Sequence, residues 1–339
     1  MQIQSIIKQS VLSLYLVYPF LLTGCGSEEP RCIEAPNVSN IEAPVTIERL
    51  DLKFKAATSA EEVHALIVEN RIFATEFLGL NPYTDDSLLA VQYFDLLQNP
   101  GIDTLYMEVE AVFGDMEEIR LSFEEAFKHV KYFFPDFEVP AIKTVVTGFS
   151  SDMYLSDSLI IFGLDYYLGP QGSYLPQDVP GYILKRYQKP YMVPQTLMLI
   201  SDFYIQSAIE DNTALAEMIY YGKAYQFVKQ MMPCVSDSLI TGYTTEEMQD
   251  IKKYESVIWA SMIENQFVYE TNHMIKQKIL GESPQTFDIG EKCPGRIGRW
   301  TGWRIVQQYL KANPEVQLPE LLQNTDAQMI FSKSKYKPG

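Results

Sequence analysis

Few side chains in this sequence are equipped for chemistry. Three histidines, His64, His129 and His273, serve 339 residues. None opens an HExxH pattern, which would set two zinc ligands and a general base on one helix. His64 and His129 lie among charged neighbours and read as solvated surface residues. Glu270-x-x-His273 supplies one Glu-x-x-His pair of the di-iron type. A di-iron centre needs two such pairs and two further carboxylates on facing helices, so this single pair does not predict a metal. No GxSxG elbow occurs, and "GPQGSY" lacks both the lysine and the following helix of a phosphate loop. Cys25, Cys32, Cys234 and Cys293 show no CxxC spacing, so a thiolate zinc site is unsupported. A Cys234–Cys293 bridge and free thiols both stay open. No catalytic residue, metal or cofactor is assigned.

One carboxylate does stand out. In "DNTALAEMIYYGKAYQFV" (211–228), Glu217 shares a helical row with Tyr221, Ala224 and Val228, and the row of Leu215, Met218, Gly222 and Tyr225 is equally apolar. A helix apolar on most sides belongs in a core, where an ionised carboxylate needs compensation. Lys223, Tyr221 and Tyr225 are the candidate partners for Glu217.

The elements that must position such groups are mainly helices. Thr58-x-x-Glu61 reads as a capping box opening a helix that runs through Val63, Leu66, Ile67, Phe73 and Phe77. "DDSLLAVQYFDLLQNPG" predicts a second helix stopped at Asn99-Pro100-Gly101, and "DMEEIRLSFEEAFKHVKYFF" a third ended by Pro135. Between Pro140 and Gly169 the period changes, and two β-branched, aromatic runs around polar "SSDMYLS" predict two neighbouring strands. Gly169–Pro194, a loop rich in tyrosine and proline, is the candidate partner-binding patch, since long irregular loops often carry function. Helix resumes near 194–209 and again to Pro233. Thr244-x-x-Glu247 is a further capping box, opening one long helix or two consecutive ones to Gly281, and "RWTGWRIVQQYLKANP" leads to short C-terminal helices. The fold class is α+β, mainly α. The twenty-two tyrosines read as ordinary packing residues rather than a sugar platform.

The chain begins with a leader. Lys8 precedes the apolar run "VLSLYLVYPFLL", which contains Pro19 and is too short to span a bilayer comfortably. It ends in "LLTGC", which resembles a bacterial lipobox whose cysteine, here Cys25, receives the lipid. Residues 1–24 are therefore read as a lipoprotein signal peptide, 25–45 as a flexible acidic tether, and 46–339 as one large, mainly helical domain. The net charge of −17 excludes a nucleic-acid partner, which would need lysine and arginine for its phosphates. It equally excludes anchoring to anionic lipid by charge, leaving the acyl chains to hold the protein at the membrane.

The order of elements, with "IEDNTALAEMIYYGKAYQFVKQMMP", "PGRIGRWTGWRIV" and the closing "SKSKYKPG", resembles the GldB family of lipoproteins from the Bacteroidetes, from the lipobox almost to the last residue. The resemblance implies a role in gliding motility and the associated type IX secretion apparatus. It also implies an envelope location, with the outer membrane favoured and the domain in the periplasm or at the surface, and partners among other gliding and secretion proteins. That family is distantly similar to gluzincin-type zinc peptidases, which implies a zincin-like helical scaffold with a small central sheet. The HExxH position would then fall in Val193–Gln206, which has neither histidine nor glutamate. Glu217 would be the relic of a metal ligand, on a protein that holds partners without catalysis. Two alternatives carry different signatures. A hydrolase would bring His or Ser to Glu217, and a glycan- or peptide-binding lipoprotein would line a groove with exposed aromatic rings.

Overall fold

The computed structural model describes residues 32–81 and 85–339; the leader and Cys25 lie outside them. Six helices lead in: α1 (Leu50–Ala56), α2 (Ala60–Glu69), α3 (Arg71–Glu76), α4 (Asp86–Leu97), α5 (Pro100–Phe113) and α6 (Glu117–Phe133). A small sheet of β1 (Ile47–Glu48), β2 (Ala141–Val145), β3 (Met153–Leu155) and β4 (Leu159–Gly163) joins them to the second half. There α7 (Gly181–Leu184), α8 (Met192–Ser201), α9 (Ala214–Met231) and α10 (Asp237–Thr241) are followed by α11 (Thr245–Lys253), α12 (Glu255–Glu264) and α13 (His273–Leu280). The chain closes with α14 (Ile297–Ala312), α15 (Leu318–Gln323) and α16 (Ala327–Ser334). The fold is α+β and mainly helical, as the sequence predicts.

Local chemistry explains where the helices begin. Thr244 accepts the Glu247 N–H at 3.1 Å while Glu247 accepts the Thr244 N–H at 2.7 Å, so that capping box forms in full. At the first predicted box the start shifts by one residue. Ser59 caps α2 by accepting from Glu62 N at 3.3 Å, and the Glu62 carboxylate takes the Thr58 N–H at 2.7 Å. Asn99-Pro100-Gly101 ends α4 as expected, but it also starts α5, which sequence reading does not identify. Asn99 accepts from Gly101 N at 2.8 Å, and Pro100 sits at the first helical position, where its missing N–H goes unmissed. The one long helix or two consecutive ones predicted after Thr244 are three helices, broken at Tyr254 and around Gln266, whose φ is 58°.

The sheet runs β1-β2-β4-β3. β1, β2 and β4 are parallel, with Ile142 opposite Ile160, and β3 pairs antiparallel to β4, with Met153 opposite Phe162. β2 and β4 are the two neighbouring strands the period change predicts. β1 and β3 are two and three residues long, too short for a period to register, and "SSDMYLS" therefore reads as a polar break although it contains β3. β3 lies at one end of the sheet, with one edge unpaired among the described residues.

α9 and α14 pack backbone to backbone. A Cβ added at Gly222 would lie 2.5 Å from the Gly302 carbonyl, and one added at Gly302 would overlap the Met218 carbonyl. Trp300 and Trp303 are buried on α14, and Trp303 Nε1 donates to Gln226 Oε1 of α9 at 3.0 Å. The close approach of two helices thus depends on two glycines, each lacking the atom that would separate them.

From Cys32 onward the segment expected as a flexible tether lies against the domain. Cys32 is disulfide-bonded to Cys234, the Ile33 N–H donates to Pro233 O at 3.1 Å, and Val38, Ala43 and Val45 are buried. Those three apolar side chains and one covalent bond suffice to dock a stretch that has no periodicity. Cys234 therefore pairs with Cys32 and not with Cys293, whose free thiol is pushed up to about 12 by burial, with slight relief from Thr286.

Candidate functional site

A cleft of about 340 Å³ opens where the start of β3, α8, the 181–191 segment and the N-terminus of α14 meet. Three arginines line it. Arg186 follows α7, and its backbone carbonyl accepts from Gln195 Nε2 of α8 at 3.1 Å. Gly242, at φ 73°, ends α10 beside it, and a Cβ there would overlap the Arg186 side chain. Arg296 begins α14 at φ 61°, a backbone region that non-glycine residues seldom occupy, and its guanidinium lies 5.4 Å from the Tyr243 ring centre. Tyr243 is itself fixed by donating to Gly295 O at 2.7 Å. Arg299 donates from Nε to Leu280 O at 2.6 Å and lies 4.1 Å from the Tyr221 ring centre.

These cations converge on one carboxylate, Glu282. Arg186 Nη1 and Nη2 donate to Glu282 Oε1 and Oε2 at 3.1 and 2.9 Å, a bidentate pair. Arg296 Nε and Arg299 Nη1 stand off at 3.4 and 3.8 Å. Burial pushes the Glu282 pKa up, but Arg296, Arg186 and Arg299 outweigh it and hold the carboxyl below its ordinary range. Arg296 is only 8% exposed and donates no hydrogen bond among the described residues; Arg186 Nε is buried without a partner. On the far wall Tyr187 donates to Asp152 Oδ2 at 2.5 Å, and burial followed by that hydrogen bond raises the phenol pKa. Three guanidiniums thus face two carboxylates, on a chain whose net charge is −17.

Glu217 sits elsewhere and is not the buried, lone carboxylate its helical row suggests. It lies in the first turn of α9 with 35% of its side chain exposed, and its partner is Lys276 of α13, which also donates to Asn212 O at 2.7 Å. None of the three expected partners engages it. Lys223 donates instead to the carbonyls of Gln206, Leu322 and Asn324, Tyr221 carries Arg299, and Tyr225 packs on Trp303 at 5.7 Å and lines the cleft. The physical reason is reach. Tyr221 shares the row of Glu217 and Tyr225 lies on the other, but α13 packs across the start of α9 and delivers an ammonium there.

Zinc does not fit these residues. α8, where the HExxH motif would fall, gives the cleft Gln195, Met198 and Leu199, and Glu217 is not among the lining residues. Among the described residues no three His, Cys, Asp or Glu side chains come within reach of one ion. His129 is a correction: it is buried on the inner face of α6, with Nδ1 3.0 Å from Glu125 O, because Ala126, Phe127 and Val130 carry that face into the core. Glu270 precedes α13 and accepts the Thr271 and Asn272 N–H groups at 2.8 and 2.7 Å, so it shares no helical face with His273.

Sequence reading missed Glu282, Arg296 and Arg299 as a group. A signal did exist, since Arg296 and Arg299 lie in "PGRIGRWTGWRIV" and Arg186 in Gly169–Pro194, which is expected as a loop but holds α7 and the start of α8; both stretches are conspicuous for other reasons. Among the described residues no helix is long and apolar enough to cross a membrane. No curated protein and no solved structure gives a significant match to this chain. The family model described as gliding motility protein GldB matches residues 31–338. That match takes in α9, α14 and every residue of the arginine cleft, and on this breadth the chain belongs to the GldB family of gliding motility proteins.

Proposed function

We propose that this protein is a lipid-anchored component of the cell envelope that serves gliding motility, and the type IX secretion apparatus associated with it, by holding other envelope proteins rather than by catalysis. The observation that carries this reading is the inventory of the cleft. Besides two carboxylates its lining is guanidinium, phenol, aliphatic and thioether, with the Gln195 amide and the Thr241 hydroxyl, which donates to Asp237 O at 2.9 Å; it has no histidine, serine or cysteine. The two carboxylates present are already engaged, Asp152 by Tyr187 and by the Met153 N–H at 2.8 Å, Glu282 by the arginines. General acid–base catalysis needs a group free to accept or deliver a proton at the reacting atom, whereas surface arginine and tyrosine are the side chains most often used to grip a partner.

On this reading the lipid sits on Cys25, in the outer membrane by preference, with the domain in the periplasm or at the surface. The scaffold descends from a zincin-like ancestor, and Glu217 marks a former metal-ligand position now neutralised by Lys276. The test is chemical cross-linking in cells followed by affinity recovery, comparing the wild-type chain with Arg186→Glu. Arg186→Glu should recover markedly less of the envelope partners. Equal recovery would remove the cleft as the working surface. Peptide hydrolysis lost in Glu217→Gln, or one tightly held zinc per chain by elemental analysis, would sink the non-catalytic reading.

A further inference from the structure

The register of the sheet exposes a second feature beside the arginines. Gly163 N donates to Asp152 O at 2.8 Å and Ser156 N to Leu159 O at 2.9 Å, so residues 152, 154 and 156 form the hydrogen-bonded pairs with β4. In an antiparallel ladder the alternate residues turn their backbone groups the other way. The Met153 carbonyl and the Leu155 N–H therefore point away from β4, along the unpaired edge of the sheet. Asp152 and Met153 also line the cleft, and the Tyr187 hydroxyl ties Asp152 to the segment that carries Arg186. An open edge thus runs into a pocket with surplus guanidinium donors.

Resting on the partner-holding role proposed above, we propose that the cleft receives an extended polypeptide segment of a partner, which adds to the outer edge of β3 and seats a carboxylate on Arg296, Arg299 and the free Nε of Arg186. Backbone pairing at a sheet edge gives affinity without sequence demands, and pockets beside the edge give selectivity. The carboxylate follows from the unspent donors. Glu282 satisfies Arg186 in bidentate fashion, while Arg296 and Arg299 remain farther from it than a normal hydrogen bond. A polypeptide is favoured over a lone phosphate or a lipid headgroup because the same cleft is walled by Met153, Ile183, Met198 and Leu199, which an inorganic anion would not use.

The test uses the mature, acylated chain in detergent. An octapeptide library carries a free C-terminal carboxylate or one fixed Glu, and its matched twin is amidated or carries Gln. Acid peptides should bind about tenfold or more tighter than their neutral twins, and Arg296→Gln should remove that preference while thermal unfolding remains cooperative. If Arg296→Gln fails to fold, Arg186→Gln takes its place. Bound peptide should slow hydrogen exchange at the Leu155 amide, and millimolar inorganic phosphate should leave binding in place. Equal affinity for acid and neutral peptides, displacement by phosphate alone, or unchanged exchange at Leu155 would overturn the proposal. Failure here with partner recovery still dependent on Arg186 would leave the holding role intact and remove only the extended carboxylate ligand. Peptide binding with recovery unchanged would do the reverse.

Discussion

Glu217 and Glu282 are equally exposed, each with 35% of its side chain open to solvent. They differ in company. Glu217 meets one lysine, Lys276, and the account is balanced. Glu282 meets three arginines that converge from residues 186, 296 and 299, and cationic donors are left over. Exposure alone therefore does not distinguish the two carboxylates. Charge stoichiometry does, because an unpaired buried cation is retained at a cost to stability and marks where an anion from outside would be welcome.

Both sites ride on the same helix pair, so the largest expected effect comes from separating it. Gly302→Ala forces a methyl into the Met218 carbonyl of α9. Overpacking of this kind costs about 1–3 kcal/mol where side chains can yield, and backbone against backbone should reach or exceed about 3 kcal/mol in a denaturant melt. Both sites should loosen together; a Gly302→Ala chain as stable as wild type would mean that the helix seam does not set either one.

Next in size is Glu282→Gln, which leaves three guanidiniums facing one another. The half-open setting tempers the penalty of a fully buried pair, and about 1–3 kcal/mol is expected. Combining it with Arg186→Gln should recover part of that loss, as a double-mutant cycle would measure. The matched change at the other site, Lys276→Met, should cost only about 1 kcal/mol, since Glu217 can turn to water. If Lys276→Met proved the more damaging of the two, the contrast between balanced and unbalanced sites would collapse.

Titration sharpens the contrast with smaller effects. The Glu282 carboxyl lies below its ordinary value of 4.5, so its contribution to stability is present above that pH and is lost as pH falls through the folded value. Acid unfolding of Glu282→Gln should accordingly be less steep below pH 4.5 than that of wild type. Lys223 behaves in the opposite sense. Burial lowers it from 10.5 to about 8, so the unfolded chain binds the proton more tightly and stability rises with pH between about 8 and 10.5. Lys223→Met should flatten that alkaline rise. A rise that persists unchanged would show that the three carbonyls around the ammonium fully compensate its burial.

What was legible beforehand follows the range of the interactions involved. Thr244 and Glu247 are three residues apart and capped as read. β2 and β4 showed in their β-branched runs, while β3, three residues long, did not. The inner face of α6 took His129 inside despite its charged neighbours. Arg186 and Glu282 lie 96 residues apart, and no periodicity links them, so the site could be read only as separate conspicuous stretches.

The sequence by itself determined the mainly helical α+β class, the lack of an HExxH helix, an acid balance hostile to nucleic acid, and kinship with the GldB family. Those properties reside in composition, short-range hydrogen bonds and motif order, each complete within a few turns of chain. Only the tertiary structure decided that Glu217 belongs to Lys276, that Cys234 belongs to Cys32, and that three arginines gather beside an open strand edge. Each of those pairings closes a long loop, and its partner is chosen by which helices can approach, as Gly222 and Gly302 permit, rather than by any pattern along the chain.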